Sequence, residues 1–185
     1  MIKLFVGPMG SGKSEKLLIH LNKKLQSGTP VICLKPEIDT RAKNEIKSRS
    51  GKFHKAISVN TFYDILDIVK FYYSVGVNDF IIDEIQFIKP EGLNLFIEFV
   101  HGANVNVYAA GLNQTSEMEP FEITSHFAMF ADSIEVITGV CVYCGNPSKR
   151  TRCTIEKEGT ILIGDDVYEQ TCYACASLLK DRCNK

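Results

Sequence analysis

The sequence predicts an α/β fold: a parallel sheet flanked by helices, followed by a small cysteine-rich module. Three observations predict it. A glycine-rich loop, Gly7-Pro8-Met9-Gly10-Ser11-Gly12-Lys13-Ser14, joins an apolar strand to an amphipathic helix. A buried-type strand, Phe80-Ile81-Ile82, runs into the adjacent carboxylates Asp83 and Glu84. Two C-x-x-C pairs, Cys141/Cys144 and Cys172/Cys175, occupy the last quarter of the chain.

Taken in order, Ile2-Lys3-Leu4-Phe5-Val6 reads as the first strand. The loop after it fits G-x-x-x-x-G-K-[ST], a cradle for phosphate. Glycines let successive amides converge on an anion, Lys13 adds a point charge, and the Ser14 hydroxyl suits Mg²⁺. From Ser14 a helix carries Leu17, Leu18, Leu21 and Leu25 on one face and stops at Ser27-Gly28-Thr29-Pro30. Val31-Ile32-Cys33-Leu34-Lys35 is the next strand, and strand–helix–strand implies a parallel sheet with a right-handed crossover.

Pro36 to Lys55 is polar and basic, broken by Ser50-Gly51. Most of it suits a solvated loop equally well as a functional one; Asp39 and Arg41 stand nearest the strand end, where phosphate sites lie. Asn60 or Thr61 caps a helix whose Phe62, Ile65, Leu66, Val69, Tyr72 and Tyr73 face inward, and Gly76 stops it. At the end of the strand Asp79–Ile82, an acid beside a phosphate loop holds Mg²⁺, usually through water; two solvated acids at a turn is the blander alternative. Lys89-Pro90-Glu91 opens a helix through His101, with Leu93, Phe96, Ile97 and Val100 inward. Val105–Ala110 is a further strand, 111–121 leaves it toward the site, and Ser133–Thr138 is the last strand of the sheet. The expected division is 1–138 for the nucleotide-binding domain and 139–185 for the cysteine module.

Four thiols in two knuckles suit closed, tetrahedral, structural Zn²⁺, with redox pairs as the competing reading. Against the redox reading, neither pair opens a helix beside a thioredoxin-like strand, and residues 145–171 form something between them. Cys33, Cys153 and Cys183 read as free thiols, although Cys153 could substitute as a ligand. With 185 residues and a net charge of −1, the chain gives no electrostatic reason to expect a nucleic-acid partner. No apolar run is long enough to span a bilayer, and the amino terminus enters a strand instead of a signal peptide. A reducing, cytoplasmic setting follows as the expectation.

The ordered set of these motifs resembles the thymidine kinases of the cytosolic, tetrameric type over nearly the whole chain. It is carried by the phosphate loop, Asp39-Thr40-Arg41, Ile82-Asp83-Glu84-Ile85-Gln86-Phe87, Ala110-Gly111-Leu112-Asn113, Pro120-Phe121, the cysteine pairs and Gly164-Asp165-Asp166-Val167-Tyr168. The resemblance implies a RecA-like domain with a zinc-ribbon-like lasso covering the nucleoside. It implies ATP held by Gly7, Met9, Gly10, Ser11, Gly12, Lys13 and Ser14, and Mg²⁺ held by Ser14, Asp83 and Asp39. Glu84 would be the general base toward the deoxyribose 5′-hydroxyl, and Arg41 would stabilise the transferring phosphoryl group. Met9, Gln86, Leu112, Phe121, Thr151, Ile161, Leu162, Ile163 and Tyr168 would surround thymidine, or alternatively deoxyuridine, and Cys141, Cys144, Cys172 and Cys175 would hold Zn²⁺. A homotetramer is implied by the resemblance alone. Three residues depart from the family pattern: Ser116 where a Phe commonly packs the base, Ile163 beside Gly164, and Gly10 in place of a bulkier residue. An ATPase acting on nucleic acid and a catalytically weak thymidine-nucleotide binder are the rival readings.

Overall fold

The computed structural model describes residues 1–39, 44–155 and 167–183. Strand β1 (Ile2–Gly7) leads through the glycine-rich loop into α1 (Lys13–Gln26) and then β2 (Val31–Pro36). Next come three short strands, β3 (Glu45–Lys47), β4 (Phe53–Lys55) and β5 (Ile57–Val59), and then α2 (Phe62–Ser74). Strand β6 (Asp79–Ile82), a 3₁₀ turn at Ile85–Phe87, α3 (Leu93–Gly102), β7 (Asn106–Leu112), α4 (Glu122–Met129) and β8 (Ser133–Val136) follow. The carboxyl-terminal part holds β9 (Gly139–Val140), β10 (Pro147–Ser148), β11 (Arg150–Cys153), β12 (Tyr168–Thr171) and α5 (Tyr173–Cys183).

Six strands form one sheet in the order β5-β2-β6-β7-β1-β8, and all five pairings are parallel. Parallel neighbours need long crossovers, and α1, α2, α3 and α4 supply four of them. Both faces are covered, which is why the strands read as apolar runs without strict alternation. Leu4 and Val6 of β1 face the core under α2, α3 and α4, while Phe5 faces α1 with Leu17, Leu18, Leu21 and Cys33. On the first face Phe62, Phe96 and Phe127 touch one another with centroids 5.7–6.1 Å apart. Each such ring fully removed from water contributes roughly 1.5–3 kcal/mol.

Thr61 caps α2 through a capping box, its hydroxyl accepting from the Asp64 amide while the Asp64 carboxylate accepts from Thr61. Four expectations are corrected. Leu25 and Tyr73, each in the last turn of its helix, are exposed, Tyr73 keeping an edge-on contact with Phe99. Helix α3 starts at Leu93 and not at Pro90: Gly92 holds φ +89°, and a Cβ there would meet Tyr63, so 90–93 is a turn tucked against α2. Between Glu45 and Lys55 the chain is an antiparallel hairpin turning at Ser48–Gly51, with Ile46 buried against α1. Helices α4 and α5 form where no helix was expected.

Candidate active site

The phosphate loop and the paired carboxylates leave the same, carboxyl-terminal edge of the sheet, with only β7 between β1 and β6. Gly12 takes φ +93° as the residue before α1 and provides no side-chain cap, so the first amides of α1 face outward for an anion. Gly7 serves a different need. A Cβ there would stand 2.2 Å from the Ile137 carbonyl, so glycine lets the end of β1 pass the chain leaving β8. Lys13 is buried, and its ammonium donates to the Pro8 carbonyl at 2.8 Å. The Ser11 hydroxyl is buried and has no hydrogen-bond partner among the described residues. An orphaned donor in a cradle of amides and a lysine fits an anionic group.

Asp83 is fully buried at the end of β6, where it accepts from the Ser14 hydroxyl and from the Glu84 amide, the latter at 3.0 Å. Burial and the neighbouring Glu84 carboxylate push its pKa up from 3.8 to about 7, against the pull of Ser14 and Lys13. A site that raises a carboxylate this far while pointing a serine hydroxyl at it suits a hard cation with oxygen ligands. Glu84 adopts φ 51°, ψ 44°, the left-handed region, which costs a non-glycine residue about 1–2 kcal/mol. Its carboxylate accepts from the Gln86 side-chain amide. Gln86 in turn accepts from the Leu112 amide at 3.0 Å, so β7 fixes the orientation of Glu84 through one buried side chain. Strain concentrated on one acidic residue in a cleft marks a functional position.

Between loop, carboxylates and hairpin lies a cavity of about 570 Å³. Met9, Gly10 and Gly12–Ser14 form its floor, Asp83 and Glu84 one wall, Glu45–Arg49 of the hairpin another, and Phe87, Leu112 and Ile38 the apolar remainder. Asp39 lines it while paired at 3.0 Å with Lys35, whose ammonium also donates to the Glu45 carbonyl at 3.2 Å. Phe121 stands behind Phe87 in an edge-on contact, at 6.4 Å between centroids. Thr151 is buried with its hydroxyl accepting from the Met9 amide at 2.8 Å, and Tyr168 lies on β12 opposite Cys153. Ser116 sits off the cavity wall, its carbonyl accepting from Arg150 at 3.3 Å. Arg41 and Ile161, Leu162 and Ile163 lie outside the described residues.

Sequence reasoning missed Lys35, Phe87 and the hairpin wall. Lys35, a lysine at the end of a buried strand, was a readable signal; the hairpin offered only Ser50-Gly51 between two short runs.

The four sulfurs of Cys141, Cys144, Cys172 and Cys175 lie within 4.8 Å of one another, with Cys144 and Cys172 at 3.7 Å. Ligands about 2.3 Å from a tetrahedral ion stand about 3.8 Å apart, so the set fits Zn²⁺ and is too open for disulfides. The Cys172–Cys175 pair opens helix α5, but beside the antiparallel β11–β12 pair and not a thioredoxin-like strand, and the Cys175 amide donates to the Cys172 sulfur at 3.4 Å. Cys153 stays outside the cluster with its thiol donating to the Ile155 carbonyl at 3.3 Å. Between the knuckles, β11 and β12 pair antiparallel.

Comparison with known proteins adds a separate line of support. A family model described as thymidine kinase matches residues 1–176. A thymidine kinase of Mycoplasma genitalium is 33% identical over 176 residues, covering 92% of this chain and 80% of its own. Its counterparts in Mesomycoplasma hyopneumoniae (31%, 96% of each chain) and Deinococcus deserti (32%, 92% and 91%) align over similar lengths.

Proposed function

This chain belongs to the thymidine kinase family, and from that premise we propose that it transfers the γ-phosphoryl group of ATP to the 5′-hydroxyl of thymidine. The observation that carries the proposal is the facing of Lys13 and Ser14 by Asp83 and Glu84 across one cavity. Phosphoryl transfer asks little covalent work of a protein; it asks for positioning and for charge placed where charge develops.

Each residue has a part in this reading. The amides of Gly10–Ser14 and the Lys13 ammonium bind the phosphates, Lys13 exchanging its Pro8 carbonyl for phosphate oxygen. Ser14 and Asp83 would hold Mg²⁺, with Asp39 across the cavity in its outer shell; when bound, the ion neutralises charge on the triphosphate. Glu84, oriented by Gln86, accepts the proton of the nucleoside 5′-hydroxyl as its oxygen bonds to the γ-phosphorus and the bond to the bridging oxygen breaks. Arg41, carried over from the resemblance, would stabilise the group in flight. Met9, Phe87 and Leu112 form apolar walls for the base, with Phe121 backing Phe87. The lasso residues Thr151, Ile161–Ile163 and Tyr168 would read the base edge.

Residues 139–185 act as a module rooted on the cysteine cluster, in which Zn²⁺ would replace the apolar core so small a segment lacks. The reading as an ATPase on nucleic acid is not favoured, since the matched relatives are thymidine kinases along the chain's length. No helix among the described residues is long and apolar enough to cross a membrane; a cytoplasmic homotetramer belongs to the proposal. A panel of pyrimidine nucleosides incubated with ATP and Mg²⁺ tests it: thymidine 5′-monophosphate is the expected product, and no phosphorylated nucleoside would refute it.

A further inference from the structure

We propose that Gln170 is a positioning residue that clamps the phosphate loop to the metal-held module, so that the cysteine cluster sets ATP affinity as well as the shape of the lasso. The proposal rests on the reading of the loop as the nucleotide site. Gln170 stands directly opposite Thr151 in the β11–β12 pairing. Both side chains end on Met9. Thr151 accepts from its amide at 2.8 Å, and the Gln170 amide nitrogen donates to its carbonyl at 2.8 Å. One peptide residue of the loop is therefore held at both its donor and its acceptor by a rigid cross-strand pair.

The other end of Gln170 reaches the first knuckle. Its side-chain oxygen accepts from the Val140 amide at 2.6 Å, and its main-chain carbonyl accepts from Val142 at 3.0 Å, on either side of Cys141. Cys172 follows two residues later, just past the end of β12. Two glycines make room for the amide. A Cβ on Gly10 would lie 2.8 Å from its nitrogen, and one on Gly139 would lie 2.1 Å from its oxygen. At Gly10 the glutamine shares this space with the Arg49 guanidinium, 2.5 Å from such a Cβ, and φ +75° favours glycine there as well.

Such a clamp matters because Gly10 and Gly12, at φ +75° and +93°, sit in a loop braced internally by a long Ser11 amide to Pro8 carbonyl contact of 3.3 Å. Amides that must converge on phosphate gain from being fixed beforehand. Coupling of this kind is reciprocal: what holds the loop for nucleotide also lets nucleotide steady the knuckle.

The test uses the full chain with its zinc content measured, and two variants. Gln170→Leu removes both side-chain bonds; Gln170→Glu keeps the acceptor for Val140 and sets an oxygen against the Met9 carbonyl. Titration with a non-hydrolysable ATP analogue should show about tenfold weaker binding in each, as loss of one well-placed hydrogen bond predicts, at unchanged zinc content. The KM for ATP should rise in step with the loss of affinity, with kcat moving less than about twofold. Wild-type affinity in both variants overturns the proposal, and so does loss of zinc from both, which would make the glutamine a folding residue only. If one variant alone loses zinc, the other decides. Wild-type protein that binds the analogue but leaves thymidine unphosphorylated refutes the kinase reading, while the same titration still measures the clamp.

Discussion

Replacing Asp83 by Asn should make the nucleotide-free protein more stable while abolishing its activity. Asp83 is fully buried beside another carboxylate, and its pKa is raised from 3.8 to about 7. An acid whose pKa is raised in the fold binds its proton more tightly there than in the unfolded chain. Stability from this group is therefore full below about pH 4 and falls as pH rises through 7. At 1.36 kcal/mol per unit, the raised pKa costs roughly 2 kcal/mol at pH 5, where the group stays protonated in the fold but ionises in the unfolded chain, and on the order of 4 kcal/mol at pH 8. Asn preserves the acceptor for the Glu84 amide and carries no charge to desolvate. Thermal unfolding in the absence of nucleotide and Mg²⁺ should place the variant roughly 10 °C above wild type at pH 8, with the gap about halved at pH 5. An ATP analogue with Mg²⁺, at a hundredfold excess over Kd, should then raise wild type by about 2.7 kcal/mol and narrow the gap. A variant no more stable than wild type at pH 8, or a gap independent of pH, refutes the reasoning that function here is bought with stability.

Three further outcomes follow from the same geometry. Glu84→Gln should retain nucleotide binding and lose about 10²–10⁴-fold in kcat; undiminished turnover would remove Glu84 as the base. Gly111→Ala should destabilise by about 1–3 kcal/mol, because its Cβ would stand 2.7 Å from Ile85 and 2.8 Å from the Thr124 hydroxyl, and an unchanged Tm in a denaturation scan would contradict that packing. Cys172→Ser should lower bound zinc from about one ion per chain to a small fraction and cut thymidine phosphorylation with it, whereas full zinc content by elemental analysis would show that the four sulfurs do not act together.

Where the sequence was informative, the reason was a local physical requirement with few solutions. The phosphate loop must combine glycines, a lysine and a hydroxyl within eight residues, and the buried strand before Asp83 cannot end in two acids without cause. The parallel sheet was legible because strand–helix–strand spacing leaves one topology. What stayed hidden depends on contacts between distant segments. The hairpin at Glu45–Lys55 has one buried apolar side chain, Ile46, beside the buried Ser48, and too few residues to show a period. Helix α4 has its buried residues at Ile123, Thr124 and Phe127, spread over two turns with a polar residue among them. Gln170 looks like a surface residue in sequence, and only the fold brings Met9 within reach of its amide and Leu112 within reach of Gln86. Gly10 illustrates the limit well, since its neighbour across space lies 160 positions away in sequence.

The rate of ADP formation from ATP and Mg²⁺ by the zinc-loaded chain, with and without thymidine, tests the cleft between Lys13 and Glu84 most directly. ADP should appear only when thymidine is added, in equal amount to thymidine 5′-monophosphate. ADP released at the same rate without the nucleoside would show that this cavity serves some other acceptor.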